Sequence, residues 1–249
     1  MVILHVHYEL AQYERDGVVC DGVVCKKFHP EDSRLVLGNE LLSKVIPGYY
    51  EEDQWKQRNY TLWRVLSCLD NDLYRVPLGF MPTASMQNPL GVFVGYLLFD
   101  AWIANQDRHH ENWGFVLMKD GSIHLAPSYD HASSMGRVVD DVKKMERLNT
   151  KNSEYHISSY AQKAMTKFYR TPNDAKPMTT IEVFREAAGR NRAAAQEWVE
   201  RLARVSDDAT LHILKRVPRA MLSEVGVDFA HELLRLNRIR LLKAFEEVQ

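Results

Sequence analysis

The stretch that decides the reading runs from residue 99 to residue 131: Phe99-Asp100-Ala101-Trp102-Ile103-Ala104-Asn105-Gln106-Asp107-Arg108-His109-His110-Glu111-Asn112-Trp113-Gly114-Phe115-Val116-Leu117-Met118-Lys119-Asp120-Gly121-Ser122-Ile123-His124-Leu125-Ala126-Pro127-Ser128-Tyr129-Asp130-His131. It opens as the end of an apolar helix and passes through a polar loop. A short apolar strand, GFVLM, follows, then a turn at Lys119-Asp120-Gly121 and a second strand, SIHLAP. That order is a β-hairpin flanked by polar loops, and function concentrates on such loops.

Asp107 and Asn112 stand five apart, and Asp130 follows past the hairpin. Phosphoryl transfer from ATP needs a carboxylate to orient the attacking hydroxyl and accept its proton. It needs hard oxygen ligands for Mg²⁺ and positive charge against the developing negative charge. An Asp-x-x-x-x-Asn loop supplies the first carboxylate and an amide oxygen, and the hairpin returns a second Asp to the same place, as in a protein-kinase catalytic loop followed by its metal-binding Asp. On this reading Asp107 is the base, and Asn112 and Asp130 hold the metal.

Working outward, Asn88-Pro89 opens a helix, PLGVFVGYLLFDAWIAN, that is apolar nearly all round and therefore belongs inside a domain. Upstream, WKQRNYTLWRVLSCL places Tyr60, Trp63, Leu66 and Leu69 on one helical face, from about residue 55. A short helix is expected over Gly38–Val45. Residues 1–30 read as two or three antiparallel strands with turns at Asp16-Gly17 and Asp21-Gly22. His5 and His7 are ordinary residues of an edge strand there. Downstream, 136–178 is polar and irregular with a weak helix near 158–168. Thr179 and Glu182 form a capping box, and Pro218 separates the later helices. The last helix runs from about Asp228 with Phe229, Leu233, Leu236, Ile239 and Leu242 on one face.

The chain of 249 residues can bury a real core, and its 45% hydrophobic and 26% charged residues fit a globular protein. A net charge of -1 gives no field for sequence-independent nucleic-acid binding, so no direct nucleic-acid partner is expected. Cys20, Cys25 and Cys68 cannot all pair, form no CxxC, and suit a reducing cytosol. The N-terminus lacks the features of a signal peptide, and Val92 to Ile103 is too short to span a bilayer. A cytoplasmic protein without a membrane partner is expected.

The runs LLFDAWIANQDRHHENWGF and LAPSYDHASSM, with YELAQY, GVVCKKF and LVLGNELL upstream, resemble the HipA-like C-terminal kinase domain over most of the chain. The resemblance implies an α+β, mostly helical, protein-kinase-like C-terminal lobe with a truncated small β N-lobe. Residues 1–37 would be the remnant of N-lobe strands and hinge, and 38–249 the helical lobe, with catalytic loop and hairpin at 105–131. It implies a serine/threonine protein kinase that uses ATP and Mg²⁺, acts on a protein substrate, and is often paired with an antitoxin. By position, Asp107, Asn112 and Asp130 match the family's catalytic and metal residues, His109 and Tyr129 its nucleotide contacts, and Lys26, Lys27 and Phe28 the hinge beside the adenine. The sequence departs in one respect: it has no glycine-rich loop and no Lys before Lys26, where a kinase N-lobe carries both. A gene fragment, one half of a split enzyme that needs a chain with the missing N-lobe, or a misassigned start would each explain this.

Several positions carry a plainer reading. Asn105 would end the preceding helix in the left-handed conformation. His110 would face solvent, Tyr129 could be core at a strand end, and Trp102, Trp113 and Phe99 would pack. Arg108 would pair with a carboxylate or with a phosphorylated loop. His109-His110-Glu111 does not have zinc-ligand spacing. Two other functions compete. One is a phosphatidylinositol-type or small-molecule kinase, against which stand Tyr129-Asp130-His131 in place of D-F-G and Asn105 where antibiotic kinases carry His. The other is an inactive or split fragment that serves as a binding module.

Overall fold

A computed structural model of the chain describes residues 3–49 and 57–248. The fold is built around one helix, α3 (Pro89–Ile103). The Asn88 side chain caps it by accepting from the Gly91 N–H, and Pro89 takes the first helical position, where a missing N–H costs nothing. Thirteen of its fifteen residues are buried, which a helix apolar on every side requires. It packs against α6 (Thr180–Arg190), α7 (Arg192–Ala203) and α9 (Glu224–Glu246). Thr179 and Glu182 form the expected capping box of α6. Between α8 (Asp207–Leu214) and α9 lies Pro218. α9 starts at the Ser223 cap, and its buried face runs through Phe229, Leu233, Asn237 and Leu241. Ile239, expected on that face, is half exposed. Asn237 takes the core-facing place because its amide donates to the Trp102 carbonyl.

The sheet that carries the loops is small. Its strand order is β3 (Ser33–Leu37), β5 (Gly114–Met118), β6 (Ile123–Leu125) and β4 (Tyr74–Arg75), with β4 parallel to β6 and the other pairs antiparallel. The β5–β6 turn is the expected one, with Asp120 accepting from the Ser122 N–H. β3 leads directly into α1 (Gly38–Val45), as expected. Helices dominate and the sheets are minor, so the chain is α+β.

The N-terminal strands differ from expectation in two ways. β1 (Glu9–Arg15) and β2 (Val18–Val24) form one antiparallel hairpin turned at Asp16-Gly17, both at positive φ. Such a two-residue turn fixes the register, so Asp21-Gly22 falls inside β2 rather than in a turn, opposite Gln12 and Ala11. The Gln12 amide donates to Asp21 across the ladder. Ahead of the hairpin, residues 4–6 run parallel to Ser128: Val6 N–H donates to the Ser128 carbonyl and Ser128 N–H to the Leu4 carbonyl, each at 2.9 Å. His5 bridges there, and His7 lies between that bridge and β1. The hairpin itself exposes Leu10, Tyr13, Val18, Val19, Val23 and Val24.

Helix α2 (Leu62–Leu69) buries Leu62, Val65, Leu66 and Leu69. The expected Tyr60/Trp63 face is corrected: Tyr60 precedes the helix, and Trp63 is exposed with the Arg190 guanidinium over its ring. The first residues of that expected helical stretch, 55 and 56, lie outside the described residues. Helix α4 (Asp141–Asn149), capped by Asp140, occupies part of the stretch read as irregular, and α5 (Ile157–Gln162) is the weak helix, shorter than expected. Among the described residues no helix is long and apolar enough to cross a membrane.

Gly95 lets α7 approach α3 closely. A Cβ there would stand 2.3 Å from Trp198 Cε2, whose ring is fully buried and whose Nε1–H donates to the Gly91 carbonyl. Gly95→Ala is therefore expected to destabilise the fold by about 1–3 kcal/mol through overpacking, despite alanine's better helix propensity. Urea unfolding followed by circular dichroism reads this.

Candidate active site

Helix α3 stops at Ala104, which takes the left-handed conformation (φ 53°). The Asn105 N–H then closes onto the Asp100 carbonyl at 2.8 Å. This corrects the assignment of the left-handed residue to Asn105. Asn105 is fully buried and uses its side chain instead: its amide donates to Asp100 Oδ1, and its oxygen accepts the Asp107 N–H. An asparagine that ties the helix to the loop in this way need not itself turn the chain.

Asp100, the one charged residue of α3, is buried against Arg108, which is 1% exposed. Arg108 donates Nε to Asp100 Oδ2 at 2.7 Å and Nη2 to Oδ1 at 2.8 Å, a bidentate pair. Its remaining donors reach the Asn112 carbonyl (2.5 Å), the Tyr129 carbonyl (3.3 Å) and Ser128 Oγ (3.0 Å). Burial works against the guanidinium charge, but the Asp100 carboxylate beside it more than offsets this, and its pKa is raised. Of the two partners considered for Arg108, the structure shows the carboxylate. One side chain thus fixes the end of α3, the end of the Asp107–Asn112 loop and the segment that precedes Asp130.

Within this frame Asp107 is half-buried with its carboxylate facing out of the loop. Lys167 Nζ stands 3.6 Å from Oδ1, and Ser133 Oγ donates weakly to Oδ2 at 3.5 Å. Asn112 is buried and donates Nδ2 to the Asp107 carbonyl at 2.7 Å. That bond commits the amide nitrogen to the loop and leaves the oxygen as the group for a cation. Asp130 is exposed, sits at positive φ (54°), and its N–H donates to the Tyr8 hydroxyl. The Asn112 oxygen and the Asp130 carboxylate are hard donors on two adjoining loops. Such a pair suits Mg²⁺, which keeps most of its waters and takes one or two protein oxygens. Among the described residues no group of three His, Cys, Asp or Glu side chains could hold a metal ion.

Tyr129 is core, the plainer of the two readings given for it. It is buried with Val6, Val116 and Ala126, and burial raises its pKa, while its hydroxyl donates to the Glu111 carbonyl. Its ring also stacks on Phe28, centroids 5.4 Å apart. Lys26 and Lys27 are exposed, and Lys27 ion-pairs Glu31 at 3.7 Å. His109 is half-buried, accepts the Glu111 N–H on Nδ1, and lines a cavity of about 80 Å³ with Tyr60, Glu111, Lys167 and Tyr169. His110 does not face solvent: it is buried between Tyr49 and Tyr60 with Nδ1 2.8 Å from the Tyr49 hydroxyl, and burial lowers its pKa. Trp113 is buried, and Phe99 and Trp102 pack partly buried against the core. His131 places Nε2 2.7 Å from Ser128 Oγ, and burial, reinforced by the Arg108 charge, pulls its pKa down to about 4. Sequence reasoning missed Lys167, which is far along the chain and belongs to no motif.

Residues 71–217 match the family described as the HipA-like C-terminal domain, which is more than half of the chain. No curated protein matches it. Among solved structures the chain is similar to the proinflammatory kinase CtkA of Helicobacter pylori, with a TM-score of 0.65 and 20% identity over 98% of this chain and 79% of that one. At that identity the likeness speaks for a shared fold.

Replacing Arg108 by Met strands the Asp100 carboxylate in the core and should cost about 3–5 kcal/mol, whereas the double variant Asp100→Leu/Arg108→Met should recover much of that loss. Chemical denaturation of the two variants checks this. A second expectation concerns pH. His131 binds its proton more weakly folded than unfolded, so stability is full above the unfolded pKa near 6.5 and is lost as pH falls from there towards about 4. The slope approaches about 1.4 kcal/mol per pH unit for this one group. The depressed pKa of His110 acts in the same direction. Comparing the pH dependence of unfolding in wild type and His131→Gln isolates the His131 share, and the variant should show the shallower slope.

Proposed function

The chain belongs to the HipA-like C-terminal domain family, and from that premise we propose that it transfers the γ-phosphoryl group of ATP to a serine or threonine hydroxyl of a protein. The observation that carries this reading is the tie between Asp107 and Asn112, locked by Arg108 to the segment that ends in Asp130. Asp107 orients the acceptor hydroxyl and takes its proton as the bond to phosphorus forms. Asn112 and Asp130 hold Mg²⁺ through oxygen, and the metal, when bound, neutralises charge on the phosphates. The Phe28–Tyr129 stack offers a flat apolar wall for the adenine, His109 a contact to the nucleotide, and Lys26 and Lys27 positive charge at the hinge. Substrate, antitoxin pairing and a cytoplasmic location belong to the same proposal, as does a partner chain whose strands would cover the β1–β2 hairpin, supported by the apolar residues that hairpin exposes.

With radiolabelled ATP and Mg²⁺, and lysate proteins as acceptors, the wild-type chain should label serine or threonine. Asp107→Asn should reduce transfer by on the order of 10²–10⁴-fold while the fold persists, since Asp107 is half exposed and outside the core. Equal labelling by the two proteins would remove Asp107 from the base role.

A further inference from the structure

Two of the three basic residues of the Asp107–Asn112 loop, Arg108 and His110, are buried and committed elsewhere, and the third, His109, lines the same cavity as Lys167. Arg108 is buried and bound to Asp100. His110 is buried beside Tyr49. His109 uses Nδ1 to accept from its own loop. Phosphoryl transfer nevertheless gains much of its rate from positive charge preorganised at the group in flight. A cation does stand at Asp107 and comes from elsewhere in the chain: Lys167, Nζ 3.6 Å from Oδ1.

Lys167 is placed there by a built support. Its neighbours Thr166 and Phe168 are both buried. The Thr166 N–H and hydroxyl donate to the Met178 carbonyl at 2.8 and 2.9 Å, and the Met178 N–H returns a bond to the Phe168 carbonyl. Phe168 stacks on Tyr60, centroids 4.5 Å apart, and the Tyr60 hydroxyl donates to the Arg108 carbonyl. Tyr169 and Tyr60 to Leu62 exchange further backbone bonds. The segment that carries Lys167 is thus tied to the loop that carries Asp107 through Tyr60. A half-exposed ion pair contributes little to stability, so folding does not account for this arrangement.

We propose that Lys167 is a catalytic residue that meets the transferred phosphoryl group, a role that rests on the phosphotransferase reading above. In the resting site it pairs with Asp107. During transfer the bond from γ-phosphorus to the bridging oxygen breaks, and ADP leaves with that electron pair. The acceptor oxygen bonds to phosphorus, its proton passes to Asp107, and the Lys167 ammonium stabilises the negative charge on the phosphoryl oxygens. Its long flexible stem lets Nζ move from carboxylate to phosphoryl without the backbone moving.

The test compares wild type, Lys167→Met, Lys167→Arg and Asp107→Asn by titration with Mg·ADP, with and without aluminium fluoride as the mimic of the phosphoryl in flight. Wild type should bind ADP more tightly when the fluoride is present. Lys167→Met should lose that gain, and should lower turnover by on the order of 10²-fold, with ADP affinity alone and the unfolding midpoint unchanged. Lys167→Arg should keep part of both. A full fluoride-dependent gain in Lys167→Met would overturn the role of Lys167 and leave the phosphotransferase reading standing. A wild-type chain that binds no nucleotide would overturn that reading, and the role of Lys167 with it.

Discussion

The buried pair between Asp100 and Arg108 is the constraint on which the rest of the site depends. A carboxylate buried in the last turn of an apolar helix is costly unless it is paired and fully hydrogen-bonded. Asp100 meets both conditions through Arg108 and Asn105. Arg108 in turn has five donors, of which Asp100 takes two and Ser128 one, and the remaining two must find acceptors in the core. They find the carbonyls of Asn112 and Tyr129. One guanidinium thereby ties the two loops together, alongside the Tyr129 hydroxyl on the Glu111 carbonyl and the Gln106 N–H on the Ser133 carbonyl. Removing either partner would leave the other charge buried and unpaired, so the pair holds one geometry of the loops from which Asp107 and Asp130 project.

From that frame the outward groups follow. Asp107 projects from a loop whose carbonyl is pinned by Asn112. Asp130 follows directly on Tyr129, whose carbonyl is pinned by Arg108 and whose ring is held by Phe28 and by the Glu111 carbonyl. The left-handed backbone at Asp130 departs from what a non-glycine residue prefers, and the neighbouring hydrogen bonds hold it there. A strained residue held by its surroundings on an exposed loop is where a functional carboxylate is expected.

Much of this was legible in the sequence, for identifiable reasons. Asn88-Pro89 and an apolar run without charge until Asp100 left α3 little choice but burial. Thr179 and Glu182 announced α6, and GFVLM-KDG-SIHL announced the β5–β6 hairpin. The failures have equally local causes. Asp21-Gly22 has turn composition, but the register set by Asp16-Gly17 overrode it. Trp63 fits an apolar period of three, yet the helix starts at Leu62 and rotates it to the surface. α4 has few apolar residues, so no period reveals it, and only the Asp140 cap marked its start. His110 and Lys167 depend on contacts with Tyr49 and with the Thr166–Phe168 segment, which are distant in the chain and invisible to local pattern.

The most direct test of the account is calorimetric titration of a non-hydrolysable ATP analogue into the chain with and without Mg²⁺, for wild type and for Asp130→Asn. If Asn112 and Asp130 share a cation over the phosphates, Mg²⁺ tightens wild-type binding and the Asp130→Asn variant loses that dependence. Wild-type affinity indifferent to Mg²⁺, or a variant that keeps the full dependence, would contradict the assignment of this pair as the metal site.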